Sequence, residues 1–255
     1  MNLNRASAIA TIHDMKSFYG ELKDLYDRTG IDINEDVGRR NILMSLPMEH
    51  NLANRLKSFN DKVENDGRTG KADIVVTNGE LETELECKLT SPHKSGSISL
   101  QSDYETLLRK GALDYIYIVA DRKFEKFVVV HFEKLTVSDF RDVSPGSRGK
   151  VQMRYSKAMK KASILVGDIE SSIVVKRRKL FENIVSTRRK GGSRIMELQQ
   201  RLESCGPKAV KKKQNILGMI ERVIKKTESK ALRLMHEYEE VGTKKPRYSF
   251  KFEEA

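Results

Sequence analysis

Hydrophobic and polar positions along this chain follow two periods. From Ser7 to Arg28, the residues Ile9, Ile12, Met15, Tyr19, Leu22, Leu25 and Tyr26 recur at three- and four-residue intervals, which predicts a helix ended by Gly30. A second helix is expected from near Ser45, with Pro47 tolerated in its first turn and Met48, Leu52, Leu56 and Phe59 along one stripe. The period then falls to two. Leu81, Thr83, Leu85, Cys87 and Leu89 share one face of a strand, and Glu82, Glu84, Glu86 and Lys88 share the other. Asn78-Gly79 is a hairpin signal that joins this strand to the one carrying Asp73 as antiparallel neighbours. After a polar loop from Ser91 to Ser99, Ser102 with Glu105 three residues later predicts a helix through Lys110, closed by Gly111. Tyr115–Ala120 and Phe127–Phe132 are short, apolar, β-branched and aromatic runs, as buried strands require.

Elements in this order predict an α/β fold, a central mixed sheet flanked by helices. Ser144-Pro145-Gly146 and Gly149 lie in a loop between Asp139 and Lys150, placing a domain boundary at 145/146. Residues 146–255 then read as a basic, mainly helical region. It mixes Arg154, Lys157, Lys160 and Lys161 with Tyr155, and carries two basic clusters, Lys176–Lys179 and Arg188–Lys190. Gly191-Gly192 is expected to act as a hinge before helices at Arg194–Ser204 and Ala209–Val241, with Gly206-Pro207 between them. In the longer helix Leu217, Ile220, Ile224, Thr227, Ala231, Leu234, Tyr238 and Val241 form a heptad seam, which either dimerises the chain or folds back as a hairpin. The final Pro246–Phe252 run reads as a short strand or ordered tail.

Charge sharpens this division. The 255 residues hold 48 Lys and Arg against 36 Asp and Glu, a net of +12. Residues 1–149 hold 21 against 24, and residues 150–255 hold 27 against 12. A basic surface of that size favours a polyanion through counterion release; the alternative is a solvated lysine-rich helical tail. Cys87 and Cys205 are far apart and outside any metal-spacing motif, so they read as reduced thiols. No apolar leader or membrane-length run is present, and a soluble, cytoplasmic protein without a membrane partner is expected.

The polar face of the Leu81–Leu89 strand is where chemistry is expected. Same-face Glu84 and Glu86 lie roughly 7 Å apart along a strand. Their repulsion is about 0.6 kcal/mol in water and about 2.4 kcal/mol at an effective dielectric near 20, so a cleft holding both needs a cation. Asp73, twelve intervening residues and then Glu86-x-Lys88 follow one another across the hairpin. This arrangement resembles the PD-(D/E)XK nuclease superfamily, the fold of many type II restriction endonucleases, over roughly residues 40–140. Asp73 stands for the first acid, Glu86 for the second and Lys88 for the lysine, while Ala72 replaces the proline that often precedes the first acid.

The resemblance implies a restriction-endonuclease-like core within residues 1–145. It further implies a Mg²⁺ ion, with Mn²⁺ as its substitute, held by Asp73, Glu86 and the Cys87 backbone carbonyl, an oxygen set that suits the ion. Lys88 would orient or deprotonate the attacking water, or stabilise the pentacovalent phosphorus. Glu49, on the preceding helix, is a candidate further ligand, and Glu84 a supporting or second-metal acid. Gln101 and Lys94 are candidate phosphate contacts, with His93 beside them. Arg154, Lys157, Lys160, Lys161, Arg177, Arg178, Lys179, Arg188, Arg189 and Lys190 are candidate DNA contacts. The expected activity is Mg²⁺-dependent cleavage of double-stranded DNA by a homodimeric, site-specific endonuclease. The alternatives are a repair, recombination or homing nuclease of the same fold, a nucleic-acid-binding protein without chemistry, and a helical adaptor. Zinc-finger spacing, a Walker loop, a dinucleotide fingerprint and a Gly-x-Ser-x-Gly elbow are all missing from the sequence.

Overall fold

The computed structural model describes residues 1–66, 71–147 and 149–255; Arg148, in the expected boundary loop, lies outside them. Helices α1 (Arg5–Arg28) and α2 (Val37–Leu56) precede strands β1 (Lys62–Asn65), β2 (Ile74–Asn78), β3 (Leu81–Thr90) and β4 (Gln101–Asp103). Helix α3 (Tyr104–Lys110), β5 (Leu113–Ala120), β6 (Lys126–Leu135), β7 (Lys150–Gln152), α4 (Tyr155–Ala158) and β8 (Ala162–Val166) follow. The chain continues through β9 (Asp168–Ser171), α5 (Ser172–Glu203), α6 (Val210–Gly242), β10 (Tyr248–Lys251) and β11 (Glu253–Glu254). One compact unit comprises residues 1–169 and 250–255, and a second comprises 170–249. The first therefore runs past the expected boundary at 145/146, because β7 pairs with β4 and β8 pairs with β6.

Helix α1 begins where the Asn4 side chain accepts the Ser7 N–H and the Ser7 hydroxyl accepts the Asn4 N–H, a reciprocal cap. Helix α2 starts eight residues before the expected Ser45, because the Asp36 carboxylate accepts the N–H groups of Gly38 and Arg39 at 3.0 and 3.1 Å. Pro47 is consequently in mid-helix, not in the first turn. The stripe is Met44, Met48, Leu52 and Leu56, all fully buried, while Phe59 lies beyond the helix end and is 45% exposed. Arg40 is buried on the same helix. Its guanidinium donates to Asn34 Oδ1 and Arg122 O at 2.8 Å and to Ser91 Oγ at 2.8 Å, and stacks 4.9 Å over the Phe124 ring. It ties α2 to the β5–β6 turn through neutral acceptors alone.

Among the described residues the main sheet has the order β1-β2-β3-β5-β6-β11, with β8 also on β6. Only β3 and β5 run parallel, from Leu85↔Asp114 to Thr90↔Val119, so the sheet is mixed. One face buries Leu85, Cys87, Ile116, Ile118 and Val129 in the cluster that includes Ile12 and Met15 of α1 and the α2 stripe. The opposite face is aromatic: Tyr115 and Tyr117 stack at 5.9 Å, and Phe140 and Phe132 lie against them at 5.9 and 5.8 Å. Here the β4–β7 ribbon closes over the sheet, with Ser102 Oγ 2.6 Å from the Tyr115 hydroxyl and the Tyr117 hydroxyl donating to Gln101 O at 2.9 Å. Strand β5 is buried along its whole length, as a central strand covered on both faces must be.

Three local readings of the sequence are corrected. Asp103, not Ser102, caps α3, its carboxylate accepting the Thr106 N–H at 2.9 Å; Ser102 is in β4. Leu81 is 75% exposed, since the inward alternation of β3 begins only where the strand gains β5 as a second neighbour. Gly191-Gly192 is not a hinge, for α5 is one helix from Ser172 to Glu203.

In the second unit α5 and α6 form an antiparallel hairpin, so the heptad seam of α6 folds back in the way its second reading allowed. A Cβ on Gly191 would lie 2.4 Å from Thr227 Oγ1, and this glycine sets how closely the helices approach. Toward the other end, Arg177 stacks 4.9 Å over Tyr238 and donates to its carbonyl. Leu217 and Ile224, expected on the seam, remain 47% and 45% exposed.

Candidate active site

The site forms where the β2–β3 hairpin opens. The ladder runs from Asn78↔Leu81 to Ile74↔Leu85 and stops there, because β2 begins at Ile74. Among the described residues strand β3 continues with β5 on its other side and has no strand partner beyond Leu85 on the β2 side. The Asp73 carboxylate fills that place: Oδ2 accepts the Cys87 N–H at 2.7 Å. The N–H and C=O of one residue in a strand point toward the same neighbour, so the Cys87 carbonyl also faces the Asp73 side. Its thiol points the other way, into the core, and burial raises its pKa well above the ordinary value, which suits packing and not nucleophilic attack.

Alternation puts Glu86 and Lys88 on the aromatic face of β3, beside Tyr115 and Tyr117 in register. Lys88 Nζ is 2.5 Å from Glu86 Oε1 and 4.0 Å from Asp73 Oδ2. Glu86 is 9% exposed, and burial pushes its pKa up despite the opposing effect of Lys88. For Lys88 burial works against the charged form, but Glu86 and Asp73 more than offset it and hold its pKa above the usual lysine value. Lys88 is therefore a fixed cation between two acids. Glu49 reaches this cluster from α2. Burial, reinforced by Asp73 and only partly countered by Lys88, raises its pKa to about 7.

The structure thus brings Asp73, Glu86, Cys87 and Lys88 together, with Glu49 in electrostatic reach. Most other expected contributors have partners of their own. Glu84 is ion-paired to Lys110 of α3. Gln101 is in β4 opposite Gln152, and Lys94 lies on an exposed turn. Arg154 faces Asp142 at 3.4 Å, Lys157 donates to Ser138 O, and Lys161 is bound to the buried Asp139 at 2.7 Å. In the second unit Arg177 lies against Tyr238, Arg178 faces Glu170 at 3.7 Å, and Arg188 Nη2 is 3.8 Å from Met235 Sδ. Lys160, Lys179, Arg189 and Lys190 have no ion pair among the described residues.

Sequence reasoning missed Asp103, whose charge adds to the upward push on Glu86. The cap reading that chose Ser102 stood one residue short of it. Among the described residues no group of three or more His, Cys, Asp or Glu side chains is arranged to hold a metal ion. An ion that keeps most of its waters needs only one or two carboxylates, however, and the all-oxygen chemistry of Asp73 and Glu86 fits such an ion. No helix among the described residues is long and apolar enough to cross a membrane. No family model, curated protein or solved structure matches the chain.

Proposed function

We propose that the chain is a divalent-cation-dependent endonuclease of the PD-(D/E)XK kind that cleaves double-stranded DNA, with site-specific restriction as its role. The observation that carries this reading is the convergence of Asp73 and Glu86 on Lys88 at the opened end of the hairpin. Asp73 and Glu86 would hold Mg²⁺ or Mn²⁺, with the Cys87 carbonyl on the same side. The ion would supply an activated water and charge neutralisation at the phosphoryl group. The chain's own part is to fix Glu86 and the Cys87 carbonyl on β3 with Asp73 just before β2, and to present Lys88, held protonated, to a phosphoryl oxygen as negative charge develops there. A raised Glu49 beside the acids marks a site with more carboxylate than one lysine neutralises, which a bound cation would relieve.

A second reading is favoured by the Lys88–Glu86 pair itself. At 2.5 Å it partly neutralises the cluster without any metal, as a nucleic-acid-binding protein lacking chemistry would need. Incubation of the purified chain with plasmid and linear duplex DNA in Mg²⁺ separates the two. Discrete fragments support a site-specific nuclease, a smear supports a general one, and retarded but uncut DNA supports the second reading.

A further inference from the structure

The formal charge of +12 belongs entirely to the α5–α6 unit. Residues 170–249 hold 21 Lys and Arg against 9 Asp and Glu, whereas the remainder of the chain holds 27 of each. Four of these 21 basic residues line a single groove of the hairpin. Where α5 and α6 approach at Gly191 and Thr227, they leave a groove of about 460 Å³ between them. Lys190 and Arg194 line it from α5, and Lys226 and Lys230 from α6. Thr187 and Thr227 contribute hydroxyls, and no Asp or Glu is among its lining residues. Arg194 pairs with Glu197, but Lys190, Lys226 and Lys230 have no salt bridge among the described residues. All four basic side chains are exposed.

The arrangement follows from helical spacing. Positions 187, 190, 191 and 194 share one face of α5, and 223, 226, 227 and 230 share one face of α6. The small residues make the closest approach, and long cations rise from both rims. Such a channel offers fixed positive charge and neutral hydrogen-bond donors to an extended chain of anions. Phosphodiester oxygens accept from lysine, arginine and threonine alike, and contacts of this type carry no base preference. An anionic membrane would need apolar side chains projecting from a convex surface, whereas here the basic side chains line a concave groove whose apolar members, Val223 and Leu234, belong to its wall. We infer that the α5–α6 groove binds the phosphate backbone of a nucleic acid irrespective of sequence. The partner class is shared with the function proposed above, but the evidence lies wholly within the hairpin.

The test is binding of a fluorescent random-sequence duplex to the full chain in EDTA, where cleavage does not intervene, across a range of salt. The variant K190Q/K226Q/K230Q removes three exposed charges from the groove, and K211Q/K212Q/K213Q removes three from the first turns of α6, outside it. If each groove lysine meets one phosphate, the slope of log affinity against log salt falls by about 2.7 in the groove variant, and by much less in the control. Equal losses in both variants would show that net charge alone attracts DNA and overturn the inference, as would an unchanged slope in the groove variant. Binding of wild type to phosphatidylserine vesicles but not to DNA would overturn it in favour of a membrane partner. Circular dichroism of the variants confirms that the helices persist. A groove that binds in EDTA while Mg²⁺ yields no cleavage leaves this inference standing and removes the catalytic proposal.

Discussion

The Cys87 main-chain N–H donates to the Asp73 carboxylate across 2.7 Å, at the place where a longer β2 would have offered a backbone carbonyl. Asp73 thus has a structural duty as well as its proposed metal-binding one. Asp73→Ala leaves a buried donor without its acceptor and should destabilise the fold by about 1–2 kcal/mol. Asp73→Asn keeps an oxygen for that N–H and removes the charge. It should stay within about 1 kcal/mol of wild type in urea denaturation and yet lose Mg²⁺-dependent cleavage. Retained cleavage in Asp73→Asn would remove Asp73 from the metal site.

Glu86→Gln and Lys88→Met are expected to abolish cleavage while duplex binding in EDTA stays within about twofold, since cleavage and binding are assigned to different units. Glu86 is buried and Lys88 half-buried, so removing one partner leaves the other without its ion pair, and each single variant also costs stability, about 1–3 kcal/mol. The double variant Glu86→Gln with Lys88→Met should recover part of that loss without recovering activity. Wild-type cutting rates in either single variant would refute the assignment.

Glu49 provides a pH test. Its folded-state pKa, about 7, lies above the ordinary value of 4.5, so between these limits the folded chain binds more protons than the unfolded one. Stability therefore declines as pH rises from about 4.5 to about 7, and the loss is complete above that. In Glu49→Gln the thermal midpoint should fall less over this window than in wild type. The same slope in both proteins would show that Glu49 titrates normally.

Gly191→Ala should weaken the hairpin. The new methyl meets Thr227 Oγ1 at 2.4 Å and Cγ2 at 2.5 Å. Overpacking of that kind costs about 1–3 kcal/mol, against roughly 1 kcal/mol gained from the better helix former. A lower midpoint is expected, and Thr227→Ala in the same chain should restore most of it, since both clashing atoms are gone. No recovery would place the defect outside this contact.

Arg40→Met is expected to destabilise the first unit by about 3 kcal/mol, because it leaves the Arg122 and Asp121 carbonyls and Ser91 short of donors inside the fold. Lysine at this position cannot span the same acceptors and should recover less than half. Chemical denaturation of the two variants decides this.

The parts of the fold that were legible in advance are those whose hydrophobic period is uninterrupted. Strands β5 and β6, the Asn78-Gly79 turn and helix α1 stand close to where alternation and turn chemistry put them. The start of α2 was not legible from its stripe, because Asp36 caps a helix whose exposed Ile42 and Leu43, in the second turn, obscure the amphipathic pattern. The glycine pair misled for a related reason. Gly191 looks like a break until a second helix is beside it, and only the tertiary contact with Thr227 explains a glycine there. At the site, Asp73, Glu86 and Lys88 were legible because a two-residue period and a hairpin suffice to place them. Asp103 was not, since its effect on Glu86 comes through a ribbon, β4 with β7, whose partners are nearly fifty residues apart in sequence.

The last residues have a consequence for the order of events at the ribosome. Strand β11 pairs with Phe127 and Lys126 of β6, Glu253 binds Arg5 and the Gly167 N–H, and Lys16 donates to the Ala255 carbonyl. The α5–α6 hairpin is thus spliced into the first unit, which leaves the chain at Ile169 and rejoins it at Phe250. During synthesis the nascent sheet must wait with that stretch of β6 unsealed until the whole hairpin has emerged. Helical hairpins form from local contacts and do so quickly, so the insertion can be finished before the delayed edge strand arrives to close the sheet.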